Sequence, residues 1–400
     1  MATNDNTSAL LALPVELVGR IANSLEPESL LMLRLTCKAL EHSTYDLFTK
    51  TFFEQRFCCI YYEPQWLLLK DIISSRLASR LREVTFTTDP LGYKLYRDLQ
   101  LAPTESEQDI EMAQCVAIDS LWSSIGLRTQ IPAWPSTAIL HRVFRDLKRL
   151  APKALIKFDN LGDWIPETNV EAPLLKADVL AAAVAAGLAI DTLRLDLNDT
   201  HLLNSVSTHL EPELMASTRS LRSFRADQFR AQSDDYHPRF VTAVLKSASD
   251  LRELTVFTVP GHSIATAILQ TANLSHLTTL RIRGASFTSE ELVRGLSVCQ
   301  SMLNVHLSHV GLSGGLGSWQ SVFRALSSLP RLHQLCLTSM VELVAGPSNF
   351  RYLAHRGLSH GRTTTLGGRG IEYKGREQTA AGLYELLAAP LLGDDGYGDY

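Results

Sequence analysis

Two hydrophobic periods divide the chain. Over the first sixty residues apolar side chains recur every three to four positions. Leu17, Ile21 and Leu25 stand four apart, with Val18 and Ala22 beside them, which is the stripe of a short amphipathic helix. Leu13-Pro14-Val15-Glu16 opens that helix with Pro in the first turn and an acid behind it, and Pro27 ends it. Leu30, Leu31, Leu33 and Leu35 then crowd six positions, more apolar surface than one short helix hides against itself. A longer helical stretch is predicted through Leu40, Tyr45, Leu47, Phe48, Phe52, Phe53 and Phe57. So short a region cannot bury that many leucines alone, so a partner is expected to cover the surplus.

From residue 81 a second pattern takes over, with apolar residues at the first, fourth and sixth positions of short segments. Copies begin at Leu81, Ile190, Leu221, Leu251, Leu277, Met302 and Leu332, with a partial copy at Ile156 and Phe158. Each is short enough for a strand, and helical segments are predicted between them over 240–247, 264–272, 289–299 and 321–329. Strand and helix alternating at 25 to 31 residues argue for an α/β solenoid with a parallel sheet on its inner face. Residues 88–150 interrupt the period and contain Ile131-Pro132-Ala133-Trp134-Pro135, the signature of an atypical insert. After 345 the period is lost, a strand end and capping helix are expected over 373–388, and 393–400 reads as an acidic tail.

Composition narrows the function. The 38 Lys and Arg against 42 Asp and Glu give a net charge of -4, which disfavours nucleic acid as a partner. With 45% hydrophobic residues and 66 leucines the chain is too apolar for disorder. The longest weakly polar run, 179–190, is too short to span a bilayer, so no membrane contact is expected. The first twelve residues carry no basic start to a secretory signal. Six cysteines without a paired framework or CxxC spacing suit a reducing compartment, and a cytoplasmic or nuclear location is expected.

Residues 13–40 resemble an F-box. The resemblance is carried by Leu13-Pro14, Glu16-Leu17, Ile21, Leu25, Leu30-Leu31 and Arg34-Leu35-Thr36-Cys37-Lys38, all at the family's spacing without an insertion. Leu40 stands where many members carry Trp, which leaves less apolar area at that position. The resemblance implies docking on the Skp adaptor of a cullin-RING ubiquitin ligase. The implied adaptor contacts are Leu13, Pro14, Leu17, Ile21, Leu25, Leu30, Leu31, Leu33, Leu35, Cys37, Lys38 and Leu40. The later repeats are similar to the degenerate leucine-rich repeats that follow F-boxes in many fungal proteins, although the family's Asn or Cys after the strand is mostly missing. The expected organisation is a polar tail over 1–8, a three-helix F-box over 9–60, the repeats over 61–345, a cap over 346–392 and the tail.

Catalytic patterns are weak. Gly261-His262-Ser263-Ile264-Ala265 sits between a predicted strand and helix, as a nucleophile elbow would, but Ser263 is a natural N-cap for the helix that follows. The glycine-rich run from Gly311 to Gly317 lacks Lys and is expected to be a flexible loop. His306 and His309 fall on opposite strand faces by parity, a poor arrangement for a shared metal. No enzyme activity, metal or cofactor is expected.

The outward residue of each predicted strand offers a surface instead: Thr85, Lys157, Arg194, Arg225, Thr255, Arg281, His306 and Cys336, with Arg283 one step further along its strand. Four of these eight are Lys or Arg and none is acidic. Lys157, Arg194, Arg225, Arg281, Arg283 and His306 therefore form a candidate site for an acidic or phosphorylated client protein. The plainer alternative is that these side chains solvate an exposed sheet, partly neutralised by Asp159 and Asp196. The expected function is a non-catalytic substrate receptor that positions a client for ubiquitin transfer. The alternatives are a protein-interaction scaffold outside any ligase, and a repeat protein whose first helices only cap the array.

Overall fold

The computed structural model describes residues 10, 13–60, 63–87, 135–159, 172–196, 211–228, 238–258, 264–313, 318–343, 350–352 and 370–388. The expected tails, Ser263 and most of the expected insert lie outside them.

Four helices precede the first strand: α1 (Val15–Asn23), α2 (Pro27–Thr36), α3 (Lys38–Ser43) and α4 (Tyr45–Phe53). Pro27 begins α2 with its φ already set, and Cys37 ends it in an extended conformation. The single long helix expected after residue 38 is broken at Thr44, whose hydroxyl donates to the Leu40 carbonyl at 2.7 Å and closes the last turn of α3. It also stops earlier than expected. Phe57 and the cysteine pair Cys58–Cys59 belong to strand β1 (Gln55–Cys59), because β2 (Glu83–Thr87) supplies a parallel ladder for them. The aromatic and cysteine content that looked helical suits a half-buried strand once a ladder partner exists.

The strands recognised from the repeating pattern are β2, β3 (Leu155–Asp159), β4 (Ile190–Asp196), β5 (Ser223–Asp227), β6 (Glu253–Phe257), β7 (Thr279–Arg283), β9 (Asn304–Ser308) and β11 (Gln334–Thr338). With β1 they form one parallel sheet in which strands are added in chain order, so the protein is mixed α/β with a large, mostly parallel sheet. The inward pairs Val84/Phe86, Leu193/Leu195, Leu254/Val256, Leu280/Ile282, Val305/Leu307 and Leu335/Leu337 are buried, as period-two alternation requires.

A helix follows most strands: α5 (Glu63–Ser74), α6 (Thr137–Leu150), α7 (Ala172–Ala185), α8 (Glu211–Ser217), α9 (Pro238–Ser247), α10 (Ile264–Thr271), α11 (Ser289–Ser297) and α12 (Ser318–Ser327). Each packs against the next, so these eight form a row over the inward face, and among the described residues the other face is open. Helix α6 falls inside the expected insert yet takes an ordinary place in this row, capped by Ser136 and burying Leu140, Val143, Phe144 and Leu147. Phe144 of this helix joins Trp66, Phe86 and Phe158 in an aromatic cluster of stacked and edge-on rings with neighbouring centroids 5.1 to 5.6 Å apart.

Three short strands escaped the sequence pattern. After β7, β9 and β11 the chain turns through left-handed residues Gly284, His309 and Ser339 and enters β8 (Ser286–Thr288), β10 (Gly311–Ser313) and β12 (Val341–Leu343). Those three pair in parallel as a second sheet, which β13 (Phe350–Tyr352) ends by pairing antiparallel to β12. The glycine-rich segment expected to be a loop therefore begins as strand β10, because β8 and β12 offer it hydrogen bonds on both sides. Residues 314–317 of that segment lie outside the described part.

The main sheet ends at β14 (Gly370–Lys374), antiparallel to β11, and the following helix α13 (Arg376–Ala388) packs beside α12. Tyr373 is fully buried, and burial, aided by Glu385, pushes its phenol up to about 12. A Cβ on Gly382 of α13 would overlap the Tyr373 ring. Gly382→Ala is expected to lower unfolding free energy by about 1–3 kcal/mol through overpacking, despite its better helix propensity. Urea denaturation checks this, and Tyr373→Leu in the same chain should make the Gly382 substitution less costly.

Candidate partner-binding surfaces

The N-terminal helices sort the motif residues into two sets. Val18 and Ala22 turn one side of α1 inward, while Leu17 (43% exposed) and Ile21 stand four apart on the other side. On α2, Leu31 and Leu35 (79% exposed) repeat that spacing, and Met32 and Val15, which the sequence reading passed over, are exposed as well. Six of the thirteen large apolar side chains exposed among the described residues thus fall within residues 15–35. Clustering of this kind is a feature of interaction surfaces in general. Pro14 and Lys38 are exposed, and Leu13, Leu25, Leu33 and Cys37 are half-buried. Leu30 (2% exposed) and Leu40 (5% exposed), expected among the adaptor contacts, are instead buried among the helices.

Arg34 is also internal. Its guanidinium lies 3.8 Å from the centre of the Phe48 ring and donates to the Glu41 carbonyl at 3.0 Å, tying α2 to α3 and α4. Burial lowers its pKa more than the Glu41 carboxylate, 3.7 Å away, raises it. The motif run Arg34-Leu35 therefore mixes one structural residue with one exposed residue.

On the open face of the sheet, the expected column is continuous from Arg194 through Arg225, Thr255, Arg281, His306 and Cys336, and extends to Glu372 on β14. It is broken between β3 and β4. The register shifts there, so Lys157 faces Thr192 and not Arg194, and Asp159 comes within 3.8 Å of the Arg194 guanidinium. Thr85, expected to face outward, is buried.

The basic column is also less available than the sequence suggested. Lys157 pairs with Glu83 at 2.8 Å. Asp227, whose side chain is 4% exposed, accepts from Arg194 at 2.8 Å and from Arg225 at 2.8 Å. Arg225 lies over the Phe257 ring at 4.4 Å, and burial, reinforced by Arg194, lowers its pKa. At least three of the six expected client contacts, Lys157, Arg194 and Arg225, are thus engaged by acids from neighbouring columns. The Asp196 side chain, expected to neutralise part of the charge, lies outside the described residues; Asp227 fills that role, two positions beyond Arg225. Arg281 is exposed, and Arg283 and His306 are partly so.

Two of the thiols are poor nucleophiles. Burial, then the adjacent Cys59, raises Cys58 well above the usual thiol range, and burial pushes Cys299 up to about 12. Among the described residues no group of three His, Cys, Asp or Glu side chains is placed to hold a metal ion. No helix among them is long and apolar enough to cross a membrane. No family model matches this chain, and no curated protein matches it.

Proposed function

We propose that this chain is a non-catalytic substrate receptor of a Skp–cullin–F-box ubiquitin ligase. Helices α1 and α2 dock on the Skp-type adaptor, and the repeats, a leucine-rich-repeat-like solenoid with its open face concave, hold a client protein. The observation that carries this reading is the outward placement of Leu17, Ile21, Leu31 and Leu35, at positions where the F-box resemblance puts adaptor contacts. Burying four such side chains at roughly 1.5–3 kcal/mol each supplies ample gross energy for a stable complex.

The capping alternative also has an observation behind it. Helix α4 packs on β1, and Arg80 beyond that strand pairs with Asp46 at 3.0 Å. Capping of the first sheet edge thus runs through α4 and leaves the exposed leucines of α1 and α2 unexplained. Client contact is assigned to Arg281, Arg283 and His306, which are exposed or partly exposed on the sheet. Contact with an acidic or phosphorylated segment is the expected chemistry.

Co-expression with a Skp-type adaptor and a cullin, followed by size-exclusion chromatography, tests the reading. A one-to-one adaptor complex that also retains the cullin is expected. Adaptor binding without cullin would favour the scaffold alternative, and a soluble chain that binds no adaptor would sink the proposal.

A further inference from the structure

A separate feature lies at the rim of the sheet, where β9, β11 and α13 begin. Leu303, Asn304, Pro330, Arg331, His333 and Arg376 line a cleft of about 330 Å3, within the roughly 300–1,000 Å3 usual for ligand clefts. Two arginines and a histidine line it, and among the described residues its lining contains no carboxylate. Arg331, His333 and Arg376 are exposed. Among the described residues, none of the three side chains makes an ion pair or a hydrogen bond.

This departs from three basic side chains earlier in the sheet. Lys157, Arg194 and Arg225 are each matched to a carboxylate. The acid on β14, Glu372, is held by Gln334 at 2.9 Å and Lys374 at 3.1 Å. In a chain of net charge -4, basic groups converging without an acid are not a by-product of overall composition.

The frame around them is fixed. The His333 amide donates to the Leu303 carbonyl at 2.8 Å, and its own carbonyl accepts from Thr379 Oγ1 at 3.0 Å. These bonds tie the start of β11 to β9 on one side and to α13 on the other. The Asn304 amide donates to Thr279 Oγ1 at 3.2 Å. A ligand would meet a backbone already in place, with side-chain ordering as its main cost.

We propose that this cleft binds a phosphoryl group. A phosphomonoester dianion matches two guanidinium forks in charge and geometry better than a single carboxylate does. The group can be carried by a protein segment or by a small phosphate ester, and the site does not depend on adaptor docking.

The test uses the full chain and fluorescence anisotropy of a labelled peptide bearing one phosphoserine among Gly and Ala, with its unphosphorylated twin as control. Saturable binding of the phosphopeptide alone, reversed by inorganic phosphate but not by chloride at matched ionic strength, is the expected result. Arg331→Ala with Arg376→Ala should weaken it at least tenfold, while Arg145→Ala, an exposed arginine on α6, should not change it. A phosphopeptide bound at least tenfold more tightly than inorganic phosphate assigns the group to a protein segment; equal affinities assign it to a small ester. Absence of phosphate-dependent binding, or binding unchanged in the double variant or equally weakened by Arg145→Ala, would overturn the proposal. All three arginines are exposed, and circular dichroism melting confirms that the variants fold.

Discussion

A chain carrying Leu17→Asp and Leu35→Lys is expected to lose co-elution with a Skp-type adaptor while unfolding at the temperature of the native chain. Both side chains are exposed, at 43% and 79%, so in the free protein they contribute little packing. Surface substitutions of this kind stay within about 0.5 kcal/mol. The two charges also suit their places, an acid in the first turn of α1 and a base in the last turn of α2. In a complex the same substitutions remove roughly 1.5–3 kcal/mol of burial each and strand a charge against an apolar groove. Affinity should fall by about a thousandfold or more, enough to remove the complex from a chromatogram. Leu30→Asp is the informative contrast. At 2% exposure it should unfold the helices themselves, so binding and near-ultraviolet dichroism are lost together. Should Leu17→Asp with Leu35→Lys melt the chain as Leu30→Asp does, the exposed leucines are part of a cap and the receptor proposal fails.

That contrast shows what a single sequence conveys. The pattern of leucines located the main strands because each strand buries alternate residues against the helix row, a constraint written within six consecutive positions. It equally marked α1 and α2, but could not separate Leu30 from Leu31. Which side of a short, uniformly apolar helix faces inward is decided by α3 and α4. Strand β1 was missed because its identity depends on β2, about twenty-five residues later. The three-residue strands β8, β10 and β12 are too short to show a period, and the left-handed turns that launch them use His309 and Ser339 as well as Gly284. On the open face, the column of basic residues was legible as a column, but its charge balance was not. The register shift between β3 and β4 and the pairing of Arg194 with Asp227, thirty-three residues away, are properties of the assembled sheet.

Asp227 is where that difference has its largest effect. Its carboxylate is nearly inaccessible and lies between Arg194 and Arg225, which are register partners on adjacent strands. Asp227→Asn keeps the shape but leaves two guanidinium groups side by side without their shared counter-charge. Removing one partner of a buried pair costs roughly 3–5 kcal/mol, and the partial exposure of both arginines places this case nearer about 3 kcal/mol. Urea denaturation should show that loss, reduced by added salt because the arginines are within reach of solvent. If the cost is the stranded charge, Arg225→Met in the Asp227→Asn background should recover much of it, and the two substitutions will be non-additive. Equal losses in the single and double variants would mean that Asp227 stabilises the sheet in another way. The client question follows from the same geometry. Reversing Arg194 or Arg225 removes a structural ion pair, so weaker client capture in such a variant would report on folding as much as on recognition. Arg281→Glu with Arg283→Glu lies one strand beyond Thr255, at an exposed and a partly exposed position. That variant is expected to lose an acidic client while keeping both the fold and the adaptor.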